Sequence, residues 1–112
     1  MNIQIYGSAK SFDTKKAERY FKERKIKYQF INIHEFGMSK NIFEAAKRSL
    51  GVEEMIDKKS KVYTKLYMDY IDESKREDTL FENPQLFQTP IVRNEKTQFT
   101  IGYCPDEWAS WE

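Results

Sequence analysis

Ile5-Tyr6-Gly7-Ser8-Ala9-Lys10-Ser11, continued after Phe12 and Asp13 by Thr14-Lys15-Lys16-Ala17, is the stretch on which the fold turns. Ile3 and Ile5 alternate with Asn2, Gln4 and Tyr6, the period-two pattern of a strand with one buried face. Gly7 and Ser8 break that strand. Asp13 or Thr14 then offers a side-chain oxygen to the orphan N–H groups of a helix start. Ala17, Tyr20 and Phe21 follow at i, i+3, i+4 spacing and give the helix one apolar face. Next, Ile26, Tyr28 and Phe30 alternate with Lys27 and Gln29 in a second strand that runs on through Ile31 and Ile33. Strand, helix and strand in this order predict a right-handed crossover between parallel strands.

The rest of the chain supplies helices and then a hairpin. Ser39 caps a helix whose buried stripe is Ile42, Phe43, Ala46 and Leu50, and Gly51 is placed to end it in a left-handed turn. Val62, Tyr63, Leu66 and Tyr67 suggest a shorter helix after Ser60. Another runs from about Asp72 to Phe81, with acids in its first turn and Pro84 beyond its end. Ile91 and Val92 form a third strand, Asn94-Glu95-Lys96 a polar turn, and Phe99 and Ile101 a fourth strand, close enough to make a hairpin. Pro105 starts a last helix with Trp108 and Trp111 on one face.

Composition bounds the functional classes. A length of 112 residues suits one domain spanning 1–112 without a linker. Leu, Ile, Val and Phe supply 25 residues, about 22%, just above the level at which a highly charged chain stays disordered. Eight Phe, seven Tyr and two Trp add bulky apolar area. No apolar run is long enough for a transmembrane helix, and the first residues read as a strand rather than a signal peptide. The single cysteine, Cys104, excludes an internal disulfide, a cysteine-rich metal site and a CxxC pair. These features point to the cytoplasm. The net charge of +1 gives nucleic acid no general attraction. Residues 1–56 carry 11 Lys and Arg against 7 Asp and Glu, and residues 57–112 carry 8 against 11, a mild dipole able to orient a partner. No metal set is visible, since His34 and Glu35 have no second His or Cys nearby. Tyr63, Tyr67 and Tyr70 lie near several lysines but also near Asp57, Asp69, Asp72 and Glu73. They read as the inward aromatic face of a helix rather than a nucleic-acid surface.

Three segments taken together carry a resemblance: the stretch quoted above, Ser60-Lys61-Val62-Tyr63-Thr64-Lys65-Leu66, and Thr89-Pro90-Ile91-Val92 closed by Ile101-Gly102-Tyr103. In order and spacing they resemble the ArsC/Spx family of arsenate reductase-like proteins, and the last two are closer to the Spx branch of redox-responsive regulators. The resemblance implies an α/β, thioredoxin-like (ArsC-like) fold: a four-stranded mixed sheet with flanking helices and a helical insertion. It also implies a cis Thr89-Pro90 bond facing the first turn, with Thr89 close to Ser11.

The departures from the family pattern bear most on function. The resemblance puts the family's nucleophilic Cys at Ser11 and the second Cys of the Spx CxxC at Thr14. A serine hydroxyl stays protonated at neutral pH unless a base activates it, and nothing in the sequence places the only histidine, His34, near Ser11. Arginines that would hold an oxyanion are replaced by Asp57, Thr89 and Tyr103, and an Asp repels an anion. Lys10 and Lys15 beside the turn leave a weak anion site as one reading and two solvated lysines as the other. The site is therefore read as degenerate at Ser11, Thr14, Thr89 and Pro90, with no catalytic residue, metal or cofactor assigned; Cys104 reads as structural or incidental, with reversible oxidation or a mixed disulfide as the other reading.

Two functions follow as expectations. The first is a noncatalytic family member acting through protein contact. The resemblance to Spx implies the C-terminal domain of the RNA polymerase α subunit as partner, with Gly51 in the contact surface. The alternative is a divergent arsenate reductase-family oxidoreductase or glutathione-dependent enzyme. Direct nucleic-acid binding and membrane association are not expected.

Overall fold

The computed structural model describes residues 1–112, and the first βαβ unit sets its plan. β1 (Ile3–Gly7) is followed by α1 (Phe12–Glu23) and β2 (Tyr28–Asn32), which pairs parallel to β1 in the register Ile3 to Tyr28 and Ile5 to Phe30. Four helices follow: α2 (Ile33–Phe36), α3 (Lys40–Leu50), α4 (Val52–Met55) and α5 (Lys61–Lys65). After a single turn at Met68–Tyr70 come α6 (Glu73–Glu82) and a turn at Pro84–Leu86. The hairpin β3 (Ile91–Asn94) and β4 (Gln98–Ile101) and the final α7 (Pro105–Ser110) complete the chain. β3 inserts antiparallel beside β1, so the mixed sheet has the order β2-β1-β3-β4.

The alternation within β1 divides the core in two. Ile3 and Ile5 point to one face, where Ala17, Tyr20 and Phe21 of α1, Val92 and Trp108 of α7 are buried together. Trp108 is fully enclosed, meets Tyr20 and Phe21 at ring-centroid distances of 5.1 Å, and donates from Nε1 to Thr100 Oγ1 at 2.8 Å. Tyr6 points to the other face, into a larger cluster that includes Ile33, Phe43, Ala46, Met55, Leu80, Phe87 and Phe99. Between α4 and β3 the chain ties itself across this second layer. Ile56 and Phe87 form an antiparallel bridge, Asp57 N–H donates to the Leu86 carbonyl at 2.7 Å, and Gln88 N–H donates to Met55 at 2.8 Å.

Several sequence expectations need correction. Asp13 and Thr14 do not cap α1. The cap is Ser11, whose Oγ accepts from Thr14 N–H at 3.2 Å, while the Thr14 hydroxyl accepts from Ser8 N–H. The second strand begins at Tyr28 and stops at Asn32, because Ile33 opens the one-turn α2, which tucks Ile33 into the larger cluster. Gly51 ends α3 with φ +86° as expected, but its ψ of 148° lies outside the left-handed helical well. The chain leaves it extended and enters α4. The aromatic face read across Tyr63, Tyr67 and Tyr70 is not formed. α5 lasts five residues, Tyr67 turns left-handed at φ +53°, and Tyr67 and Tyr70 are 70% and 87% exposed, leaving only Tyr63 buried. A helical stripe needs more turns than this segment has. No helix is long and apolar enough to cross a membrane.

Candidate functional site

Because β1 and β2 are parallel, their C-terminal ends open on the same edge of the sheet, where crevices form in such folds. The turn after β1 is tightly folded: Ser11 N–H donates to the Ser8 carbonyl at 3.0 Å and Lys10 N–H to Ser8 Oγ at 3.3 Å. Gly7 is required at its start, since a Cβ there would stand 2.5 Å from the Thr14 methyl. The Thr89-Pro90 peptide is cis and faces this turn. Ser11 Oγ donates to the Thr89 carbonyl at 3.4 Å, so the expected proximity of Ser11 and Thr89 is present.

Around this contact lies an open cleft of about 460 Å3. Lys10, Ser11, Phe12, His34, Asp57, Gln88 and Thr89 line it together with Ser8. His34 thus belongs to the site, contrary to the sequence reading. The short α2 turns it back over the crevice, where Nε2 donates to the Phe87 carbonyl at 3.0 Å and Nδ1 has no protein partner. The parallel βα arrangement was the signal for this placement, since residues just beyond either strand end must meet at one edge. Asp57 stands in the cleft too, fixed by its own turn: Oδ1 accepts from Lys59 N–H at 3.1 Å and its carbonyl from Ser60 Oγ at 2.9 Å.

The two lysines read as a pair are not brought together. Lys10 lines the cleft, whereas Lys15 lies on the outer face of α1 with Nζ 5.9 Å from the Phe12 ring centroid. Tyr103 also lies outside the cleft, edge-on to Trp108 under the Lys16 ammonium. Cys104 precedes α7 and points its Sγ at the Ile101 carbonyl, 3.1 Å away. Burial, reinforced by the Glu107 carboxylate, holds its thiol above the usual range, opposite to the direction that makes a thiolate nucleophile. The cleft offers three hydroxyls, a carboxamide, an imidazole, one cation and one carboxylate.

A second surface surrounds Gly51. An open groove of about 500 Å3 is lined by Gly51, Val52, Glu53 and Glu54 on one side and by Glu73, Ser74, Arg76 and Glu77 of α6 on the other. Nothing lies within 4 Å of the position a Cβ on Gly51 would take. Arg76 braces the groove floor. It donates from Nε and Nη2 to the two Glu53 oxygens at 2.7 and 2.9 Å, and also to the Met68 carbonyl and the Tyr63 hydroxyl. Hydrogen bonding from Arg76 holds the Glu53 carboxyl below the usual range against the opposing effect of burial. Glu77 is neutralised by Lys47 at 3.2 Å, which leaves Glu54 and Glu73 as the free charges.

Known proteins share this architecture and part of this sequence. The arsenate reductase from Vibrio cholerae superposes with a TM-score of 0.82, covering 98% of this chain and 97% of its own at 22% identity, which establishes the thioredoxin-like, arsenate reductase-like fold. The global transcriptional regulator Spx 2 of Oceanobacillus iheyensis is 32% identical over 96% of this chain and 81% of its own length. The global transcriptional regulator Spx of Enterococcus faecalis is 34% identical over 94% of this chain and 82% of its own. The profile of the ArsC family matches residues 6–111. With the crossover, the cis-proline turn and the inserted helices all in place, the chain belongs to the ArsC family.

Proposed function

We propose that this chain is a noncatalytic regulator of the Spx type, acting through protein contact, with the C-terminal domain of the RNA polymerase α subunit as its partner. The observation that carries the reading is the state of the turn after β1. Ser11 occupies the position the family resemblance gives to the nucleophile, and its hydroxyl is committed twice, as acceptor from Thr14 N–H and donor to the Thr89 carbonyl. A hydroxyl held this way caps a helix and braces the loop. His34 shares the cleft but makes its one hydrogen bond to the Phe87 carbonyl and none to Ser11. The regulators at 32% and 34% identity support the same class.

Gly51 is the proposed centre of the contact. It stands open at the head of the acidic groove, so a partner can approach the backbone closely, while Glu54 and Glu73 would favour a basic patch on that partner. The test is titration of the full chain with purified α C-terminal domain in a calorimeter. Binding by the wild type and its loss in both Gly51→Arg and Glu54→Lys support the proposal. Glu54→Lys is the cleaner variant, since that side chain makes no hydrogen bond and any residue other than glycine is strained at φ +86°. Absence of binding by the wild type overturns it.

One observation favours the alternative, a divergent reductase or glutathione-dependent enzyme: Ser11, His34 and Lys10 share a cleft of about 460 Å3. Thiol-dependent turnover by the wild type would select that reading.

A further inference from the structure

We propose that the free edge of β2 accepts an extended, acidic segment of another protein as an added strand. β2 is the outer strand of the sheet and pairs only with β1, so alternate residues turn their N–H and C=O groups away from the sheet. The opposite edge strand, β4, is buried on both faces, Phe99 in the larger cluster and Thr100 against Trp108. On β2 Gln29 is exposed and the Phe30 side chain is 38% exposed. Phe30 shares the face of Ile5, the α1 face, and there the edge continues into an open groove between β2 and α1.

This groove, about 620 Å3, has an apolar floor of Ile26, Tyr28 and Phe30 and a wall of Lys22, Lys25 and Lys27. A strand laid along β2 sends every second side chain toward that floor, so the backbone and the pocket recognise the same segment in the way of strand addition. The charge decides what kind of segment. None of the three lysines is in an ion pair. The only acid in the groove, Glu18, is already engaged by the Tyr28 hydroxyl at 2.8 Å. An acidic segment with apolar residues at alternate positions matches both the floor and the wall. The surface shares no residue with the Gly51 groove, so occupation of one does not exclude the other.

The test uses isotope-labelled full chain and a synthetic octapeptide, Thr-Val-Thr-Val flanked by two Asp at each end. The expected result is saturable binding with amide shifts centred on residues 26–32. Affinity should fall about tenfold or more when Lys replaces Asp in the peptide, and similarly in the Lys22→Glu, Lys25→Glu, Lys27→Glu triple variant. N-methylation of alternate peptide residues should abolish binding, because it removes the donors that a strand must supply. Phe30→Ser keeps the lysines and the charge and should weaken binding through the floor alone. Equal affinity for the Asp and Lys peptides, tolerance of N-methylation, or shifts away from β2 would overturn the proposal. So would a dimer of the free chain joined through β2, or displacement of the peptide by duplex DNA at equal charge, which would mark a general polyanion surface.

Discussion

Thr14 lies across the end of β1 so closely that Gly7 cannot carry a side chain: a Cβ at Gly7 would meet the Thr14 methyl at 2.5 Å and its hydroxyl at 2.7 Å. The contact exists because the Thr14 hydroxyl reaches back to Ser8 N–H at 3.2 Å and closes the turn. Gly7→Ala should therefore destabilise by about 1–3 kcal/mol through overpacking. Thr14→Ala should cost about 1 kcal/mol for the lost hydrogen bond. Made together, the two should cost less than their sum, since Thr14→Ala removes the atoms that clash. Urea denaturation of the four proteins of this cycle measures the coupling, and strict additivity would remove the explanation.

Trp108 is the keystone of the smaller core cluster. Trp108→Ala should cost about 3–5 kcal/mol, the range for a large buried aromatic. Thr100→Val keeps the volume but strands the indole N–H, and should cost about 1–3 kcal/mol. Thermal unfolding followed by tryptophan fluorescence reports both, and an unchanged Tm for Thr100→Val would show that the indole finds another partner.

Glu53 makes stability depend on acid. Its folded pKa lies below the unfolded value because of Arg76, so its contribution is complete above the ordinary carboxylate pKa and is lost as pH falls through the folded value. The carboxylate is half exposed, so solvent screening limits the effect to about 1 kcal/mol or less. Glu53→Gln should lower the urea midpoint at neutral pH and flatten its decline between about pH 5 and pH 3. The same decline in both proteins would assign it to other carboxylates.

The wild type should show no thiol-dependent arsenate reduction with glutaredoxin or thioredoxin as reductant. Ser11→Cys should give a thiol that alkylates readily, with little turnover. Asp57 and Thr89 line the cleft where the family resemblance implies arginines, and one missing preorganised donor costs about 10²–10³ in rate. Clear wild-type turnover that survives Cys104→Ser would return the protein to the enzymes.

The parts of the fold that were readable in the sequence are those written in a local period. Ile3 and Ile5, Ala17 with Tyr20 and Phe21, and the hairpin around Asn94-Glu95-Lys96 each show their element within a few residues. The misread places are those where a distant contact decides. Ile33 continues the strand pattern of Phe30 and Ile31, yet leaves the sheet because the larger cluster buries it completely from a helical turn. Thr14 looks like a cap until the turn behind it, packed on Gly7, claims its hydroxyl. The site followed the same division. Ser11 beside Thr89 came from the family resemblance, while His34 entered the cleft only once the end of β2 was seen beside the end of β1.

The short tie between residues 55–57 and 86–88 has a kinetic consequence. On one side of it Glu54 and the acidic groove continue the chain. On the other side Gln88 and Thr89 form the cleft wall, and Gln88 Nε2 also clasps the Glu54 carbonyl at 3.2 Å. The Asp57 and Gln88 amide protons can reach solvent deuterium only when this tie parts, and parting it loosens both surfaces in one event. The two protons should therefore exchange at similar rates, far more slowly than those of the exposed Tyr67–Tyr70 turn.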